Sequence, residues 1–216
     1  MKHGRKQRRA PRRTNDPEGT RRNIVDMATR EFAEKGFSGA RVDEIAARTK
    51  TSKRMIYYYF GGKEGLYIAV LENAYSRIRT IEGSLDLEHQ PPAEALRRLV
   101  AFTFDYQNDH PEFIRLVMNE NMLDGAYLGR SKAIRRLNNA VIDVLRDLLA
   151  RGERDGVFRR GLDAVSVHMS ISALCFFNVA NRATFSTIFK RDMASPRALA
   201  ARRAEVVETI ARYVAA

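Results

Sequence analysis

Thr51-Ser52-Lys53-Arg54-Met55-Ile56-Tyr57-Tyr58-Tyr59-Phe60, followed by Gly61-Gly62-Lys63, reads as a short helix that begins at Ser52 and is stopped by the paired glycines. The Ser52 hydroxyl is placed to accept from the free N–H groups of the first turn. Ile56 and Phe60 fall one turn apart and face inward, which leaves Lys53, Arg54, Tyr57 and Tyr58 facing out. Two cations in a first turn oppose the helix dipole, at about 0.3–1 kcal/mol each. Two exposed phenol rings are uncommon on a solvated face. Lys63 repeats the misplaced charge at the start of the next helix. A docked polyanion accounts for this pattern. On this stretch alone, a solvated basic turn with tyrosines half-covered by neighbours accounts for it equally well.

The chain before this stretch supplies two more helices. The first is predicted from Pro17 to about Lys35, with Asp16 as cap, Pro17 in the first turn and Gly36 as the stop. Ile24, Ala28 and Phe32 give it an inner face. The second, about Val42 to Thr49, turns Val42, Ile45 and Ala46 inward. Lys50-Thr51 then connects it to the helix begun by Ser52. Three helices with connections this short make a helix-turn-helix. Ahead of them, residues 1–16 carry seven cations, Arg12 and Arg13 among them, and no acid before Asp16. Such a segment cannot bury a core. Beside a helix-turn-helix, an arm that follows phosphates or the minor groove is favoured over a solubilising tail.

Charge follows the same division. The chain has 216 residues and a formal net charge of +12. Residues 1–66 hold 17 Lys+Arg against 8 Asp+Glu, and the rest hold 21 against 18. The basicity therefore belongs to one end of the molecule, which points to nucleic acid or another anionic surface meeting that end. The hydrophobic fraction of 44% is that of a globular protein. Cys175 is the only cysteine, so no intrachain disulfide is possible, and a buried inert thiol in a reducing cytoplasm is expected. No apolar run approaches the roughly 18–20 residues of a membrane helix, and no signal peptide is recognisable. Four histidines occur, none at metal-ligand spacing, so neither a metal nor another cofactor is expected.

From Lys63 onward the pattern remains helical. A connector runs from Lys63 to about Gly83, followed by helices at about 93–108, 111–123, 130–152, 163–190 (with a break) and 196–214. Proline and glycine mark their ends. No alternating strand pattern appears, so the fold class is all-α.

Ile45-Ala46, Ser52-Lys53, Ile56-Tyr57-Tyr58-Tyr59-Phe60 and Lys63-Glu64-Gly65-Leu66, approached through Gly36-Phe37, together resemble the TetR family of bacterial transcriptional regulators over about residues 20–70. Lys50 stands where that family usually has a turn glycine, so a non-glycine residue is expected at positive φ. Arg41 replaces the usual threonine cap, and Tyr59 the usual histidine.

The resemblance implies that the helix of Ser52–Phe60 enters the major groove of double-stranded DNA. Lys53 and Arg54 would then read guanine edges and Met55 a thymine methyl. Ser52, Tyr57, Tyr58 and Lys63 would hold phosphates. It also implies a homodimer on a roughly palindromic operator, with reading helices about 34–36 Å or more apart. The chain then divides into a basic arm (1–16), a helix-turn-helix domain (17–65) and a helical domain for effector binding and dimerisation (66–216). The family's small-molecule pocket would be lined by Phe102, Tyr106, Phe113, Val117, Phe177 and Asn178, with Glu120 or Asn121 fixing polarity. Taken singly, each of these residues reads more naturally as ordinary core. The last two helices, with Val165, Met169, Ser172, Phe176 and Val179 on one and Leu199, Val206, Ile210 and Tyr213 on the other, would form a four-helix dimer interface.

These features lead to a ligand-responsive regulator, a repressor released by a small-molecule effector. The alternative is a basic architectural protein that binds nucleic acid without sequence preference. An enzyme using Glu120 and His168 as acid and base would lack any nucleophile, metal or cofactor motif.

Overall fold

The computed structural model describes residues 16–216; Arg12, Arg13 and the rest of the arm lie outside the described residues. Among the described residues there are ten α-helices and no strand. The first four are α1 (Pro17–Gly39), α2 (Val42–Arg48), α3 (Lys53–Phe60) and α4 (Lys63–Gly83). The remainder are α5 (Pro92–Asp109), α6 (Pro111–Met122), α7 (Lys132–Arg154), α8 (Ala164–Ala180), α9 (Arg182–Phe189) and α10 (Pro196–Val214).

Local chemistry sets most of these ends. The Asp16 carboxylate accepts from the Gly19 N–H at 2.8 Å and opens α1. Gly36 adopts φ 68°, ψ 176° and kinks α1 where the sequence places a stop; a further short turn then runs to Gly39. Arg41 gives α2 no side-chain cap, in keeping with the missing threonine. Lys50 sits at φ 53° in the turn before α3, the left-handed conformation expected there.

α1 packs on α4 and α6, α3 packs on α4, and α10 lies along α5. Buried Ile24, Ala28, Phe32, Ile45 and Ile56 form the core of the first three helices. That core continues without interruption through Leu66, Tyr67 and Val70 of α4 to Ile114 and Leu116 of α6. A second core, around Leu96, Val100, Phe104, Leu148, Val167, Cys175 and Ile210, holds α5, α7, α8 and α10 together. Phe32, Phe37 and Tyr67 pack as a ring cluster, and Tyr127 from the α6–α7 loop covers it, 4.5 Å from Phe37 and 5.2 Å from Tyr67.

The predicted 163–190 helix is two, α8 and α9, bent by 61° at Asn181. Arg182 and Asn178, on either side of the bend, both donate to the Asn108 side-chain oxygen of α5. No single described helix is long and apolar enough to cross a membrane.

Candidate nucleic-acid interface and cavity

The Ser52 hydroxyl accepts from the Met55 N–H at 3.3 Å and so starts α3; Gly61, at φ 73°, ends it. Ile56 is fully buried, which fixes the rotation of the helix and turns the opposite side out. On that side Ser52, Lys53 and Arg54 are exposed, with Tyr57 at 49% and Tyr58 at 78%, while Met55 is half-buried. α3 has no acid in its first turn. Nothing in the helix itself balances the positive end of its dipole against these cations.

The cations are not equivalent. Lys53 reaches back to Asp43 of α2 at 3.0 Å, and that hydrogen bond raises its pKa. Arg54 makes no ion pair among the described residues. Lys63 is half-buried: it donates to the Ser38 carbonyl at 3.2 Å, lies 4.9 Å from the centre of the Phe37 ring, and has its pKa lowered by burial. Lys63 thus ties the end of α1 to the start of α4. Buried Glu31 makes the corresponding tie inside the unit, with Lys35 at 2.8 Å and Arg48 of α2 at 3.6 Å. The backbone turn that delivers α4 is tight, because a Cβ at Gly65 would lie 1.9 Å from the Phe60 carbonyl oxygen.

A cavity of about 490 Å³ lies between α4, α5, α6, α7 and α8. Of the residues expected in a pocket, it brings together Phe113, Val117 and Asn121. The others lie elsewhere. Phe102 packs on Tyr106, and Tyr106 is buried against His110 and Phe113. Glu120 points away from the cavity: one of its oxygens accepts from the N–H groups of Tyr127 (3.2 Å) and Leu128 (2.9 Å), pinning the α6–α7 loop. Phe177 and Asn178 lie on another side of α8, in a separate cleft with Phe185 and Arg202.

The cavity also recruits Tyr75, Ile78 and Arg79 of α4, Gln107 of α5, Asn138 of α7, and His168 and Phe176 of α8. In the sequence Arg79 continues the stripe of Leu71, Tyr75 and Ile78 and stands three residues before Glu82. The Arg79 side chain is 11% exposed, and the guanidinium pairs with Glu82 and donates to Asn138 at 3.0 Å. Burial, and secondarily the charge of Arg79, lower the pKa of His168 and favour its neutral form. Glu120 and His168 sit in different surroundings and do not form an acid–base pair.

Comparison with known proteins matches two stretches of the chain. The profile described as "Bacterial regulatory proteins, tetR family" matches residues 24–70, and "Tetracyclin repressor-like, C-terminal domain" matches residues 92–210. The HTH-type transcriptional repressor NicS of Pseudomonas putida is 38% identical over 188 residues, covering 87% of this chain and 89% of that one. The HTH-type transcriptional repressor SCO4008 of Streptomyces coelicolor is 37% identical over 109 residues, 50% of this chain and 52% of the other. Among solved structures, the putative transcriptional regulator SCO4942 from Streptomyces coelicolor superposes with a TM-score of 0.69 at 27% identity, covering 90% of this chain and 98% of that one. With its reading helix and its helical body both matched, the chain belongs to the TetR family of bacterial transcriptional regulators, DNA-binding repressors built on a helix-turn-helix.

Proposed function

We propose that this repressor binds a roughly palindromic operator as a homodimer and is released when a small molecule occupies the cavity between α4 and α8. The observation that carries the DNA-reading part is the outward face of α3, where exposed Arg54 and Lys53 stand beside the exposed phenols of Tyr57 and Tyr58. Arg54, which makes no ion pair among the described residues, reads a guanine edge, and Met55 reaches an adjacent methyl. Ser52, Tyr57 and Tyr58 hold phosphates, as Lys63 does at the mouth of α4. Residues 17–65 form the reading domain and 66–216 the effector and dimerisation body, while the basic arm adds sequence-independent contacts.

The pairing surface is α8 with its continuation in α9. Val165, Met169, Phe177, Ile188 and Phe189 are between 42% and 67% exposed. Exposed apolar side chains in this number along two successive helices are characteristic of a subunit contact. α10 contributes less than the sequence suggests, because Val206 and Ile210 are already buried against α5 and α8 within the chain.

The test is fluorescence anisotropy on a duplex selected from random oligonucleotides, compared with its scrambled counterpart at physiological salt. A specific repressor keeps a preference of about 10³ or more. Equal affinity for both duplexes would instead establish an architectural binder driven by the basic arm.

A further inference from the structure

On the reading that the cavity holds an effector, we propose that this effector is a small organic acid with a flat apolar body and a hydrogen-bond donor remote from its carboxylate. The cavity wall carries Arg79 and His168 and no carboxylate. Glu82, the acid that pairs with Arg79, does not line the cavity; it lies in the grooves beside Leu87 and Val144, one of which Arg79 also lines. Arg79 is thus a cation on the wall of an acid-free space: one Nη pairs with Glu82, the other donates to Asn138, and the Nε is buried without a hydrogen-bond partner among the described residues. A buried cationic donor of this kind favours a carboxylate, whose charge-assisted bonds are stronger than those of a neutral acceptor. His168, disfavoured as a cation by burial, can add one neutral N–H donor.

The body and the far end of the ligand follow from the other walls. Tyr75, Phe113 and Phe176 line the space, and aromatic walls suit a flat apolar body. Gln107 is 5% exposed, and its side-chain oxygen is buried without a partner. That acceptor calls for an O–H or N–H on the ligand. The volume of about 490 Å³ is within the usual span of small-molecule sites.

The experiment uses the full chain bound to its selected operator, with 4-hydroxybenzoate as probe, its methyl ester and amide as neutral counterparts, and tyramine as the cationic one. The acid is expected to raise the melting temperature and release DNA at about tenfold lower concentration, or less, than either neutral compound, in line with one charge-assisted bond. Arg79→Gln alone would strand Glu82, so Arg79→Gln/Glu82→Gln is the informative variant; it should reduce the acid to the level of the ester. Gln107→Leu should remove the preference for 4-hydroxybenzoate over benzoate. An ester or tyramine that matches or outperforms the acid, or a double variant that responds as the parent does, overturns the assignment of an acid while leaving ligand response intact. If a screen of acids, neutral compounds and cations releases no DNA from protein that binds its operator, the ligand response itself falls, and this assignment with it.

Discussion

Replacing Glu120 separates a loop-pinning role from an effector-reading one. Both N–H groups it accepts, from Tyr127 and Leu128, converge on the same carboxylate oxygen, while the other oxygen is buried without a partner. Glu120→Ala leaves two backbone donors unsatisfied in a site where Glu120 itself is 1% exposed. At about 1–3 kcal/mol for each stranded donor, the expected loss is about 3 kcal/mol. For a chain of this length that corresponds to a fall in melting temperature of about 6–12 °C. Glu120→Gln keeps a carbonyl oxygen where both N–H groups arrive and puts an amide where the idle oxygen was, so it should cost less than about 1 kcal/mol. The loop carries Tyr127, which covers Phe37 and Tyr67, so Glu120→Ala should also weaken operator binding whereas Glu120→Gln should not. Chemical denaturation followed by circular dichroism, with anisotropy on the operator, measures both effects. If Glu120→Gln proves as damaging as Glu120→Ala, charge and not acceptor geometry holds the loop, and the reasoning fails.

Arg54→Ala should cost about 1–3 kcal/mol on the operator and relax preference at one base pair, while Lys63→Ala should weaken all duplexes alike; equal losses on every duplex for both variants would contradict these roles. Gly65→Ala places a methyl 1.9 Å from the Phe60 carbonyl oxygen, so the α3–α4 turn must shift; a loss of more than about 3 kcal/mol and of operator binding is expected, and an unchanged melting temperature would refute the close approach. Burial lowers the pKa of His168 in the folded chain, so below about pH 6.5 the unfolded chain takes up the proton first and stability falls as the solution is acidified. That acid-side decline, followed by melting temperature between pH 7.5 and 5.5, should be shallower in His168→Gln; equal slopes would mean that the imidazole is freely solvated.

The reading helix was legible because its determinants are local. Ser52, Ile56, Phe60 and the glycine pair set where α3 starts, how it is rotated and where it stops, within a dozen residues. Lys50 at positive φ and the break at Gly36 were legible for the same reason. The cavity was not, because a helix apolar around most of its circumference, as α5 and α8 are, does not reveal which side meets a void. Phe102, Tyr106, Phe177 and Asn178 lie on the proper helices at the wrong angles. Glu120 was misread because its partners are backbone groups in an irregular loop, with no side-chain signature. Arg79 with Glu82 reads in sequence as an ordinary solvated i,i+3 pair; only the arrival of α7, through Asn138, buries it.

α6 serves two neighbours at once. Phe113, Val117 and Asn121 look into the cavity, while Asn119, on the same helix, donates to the Phe32 carbonyl of α1 at 3.0 Å beside the kink at Gly36. On the proposed reading of the cavity as an effector site, substitutions on α6 that change what is bound would also reach α1 through Asn119, and so alter operator binding before any effector is added. On that same reading, Ser172 and Phe176 of α8, which line the cavity from a different helix, offer a second route by which what is sensed could be changed.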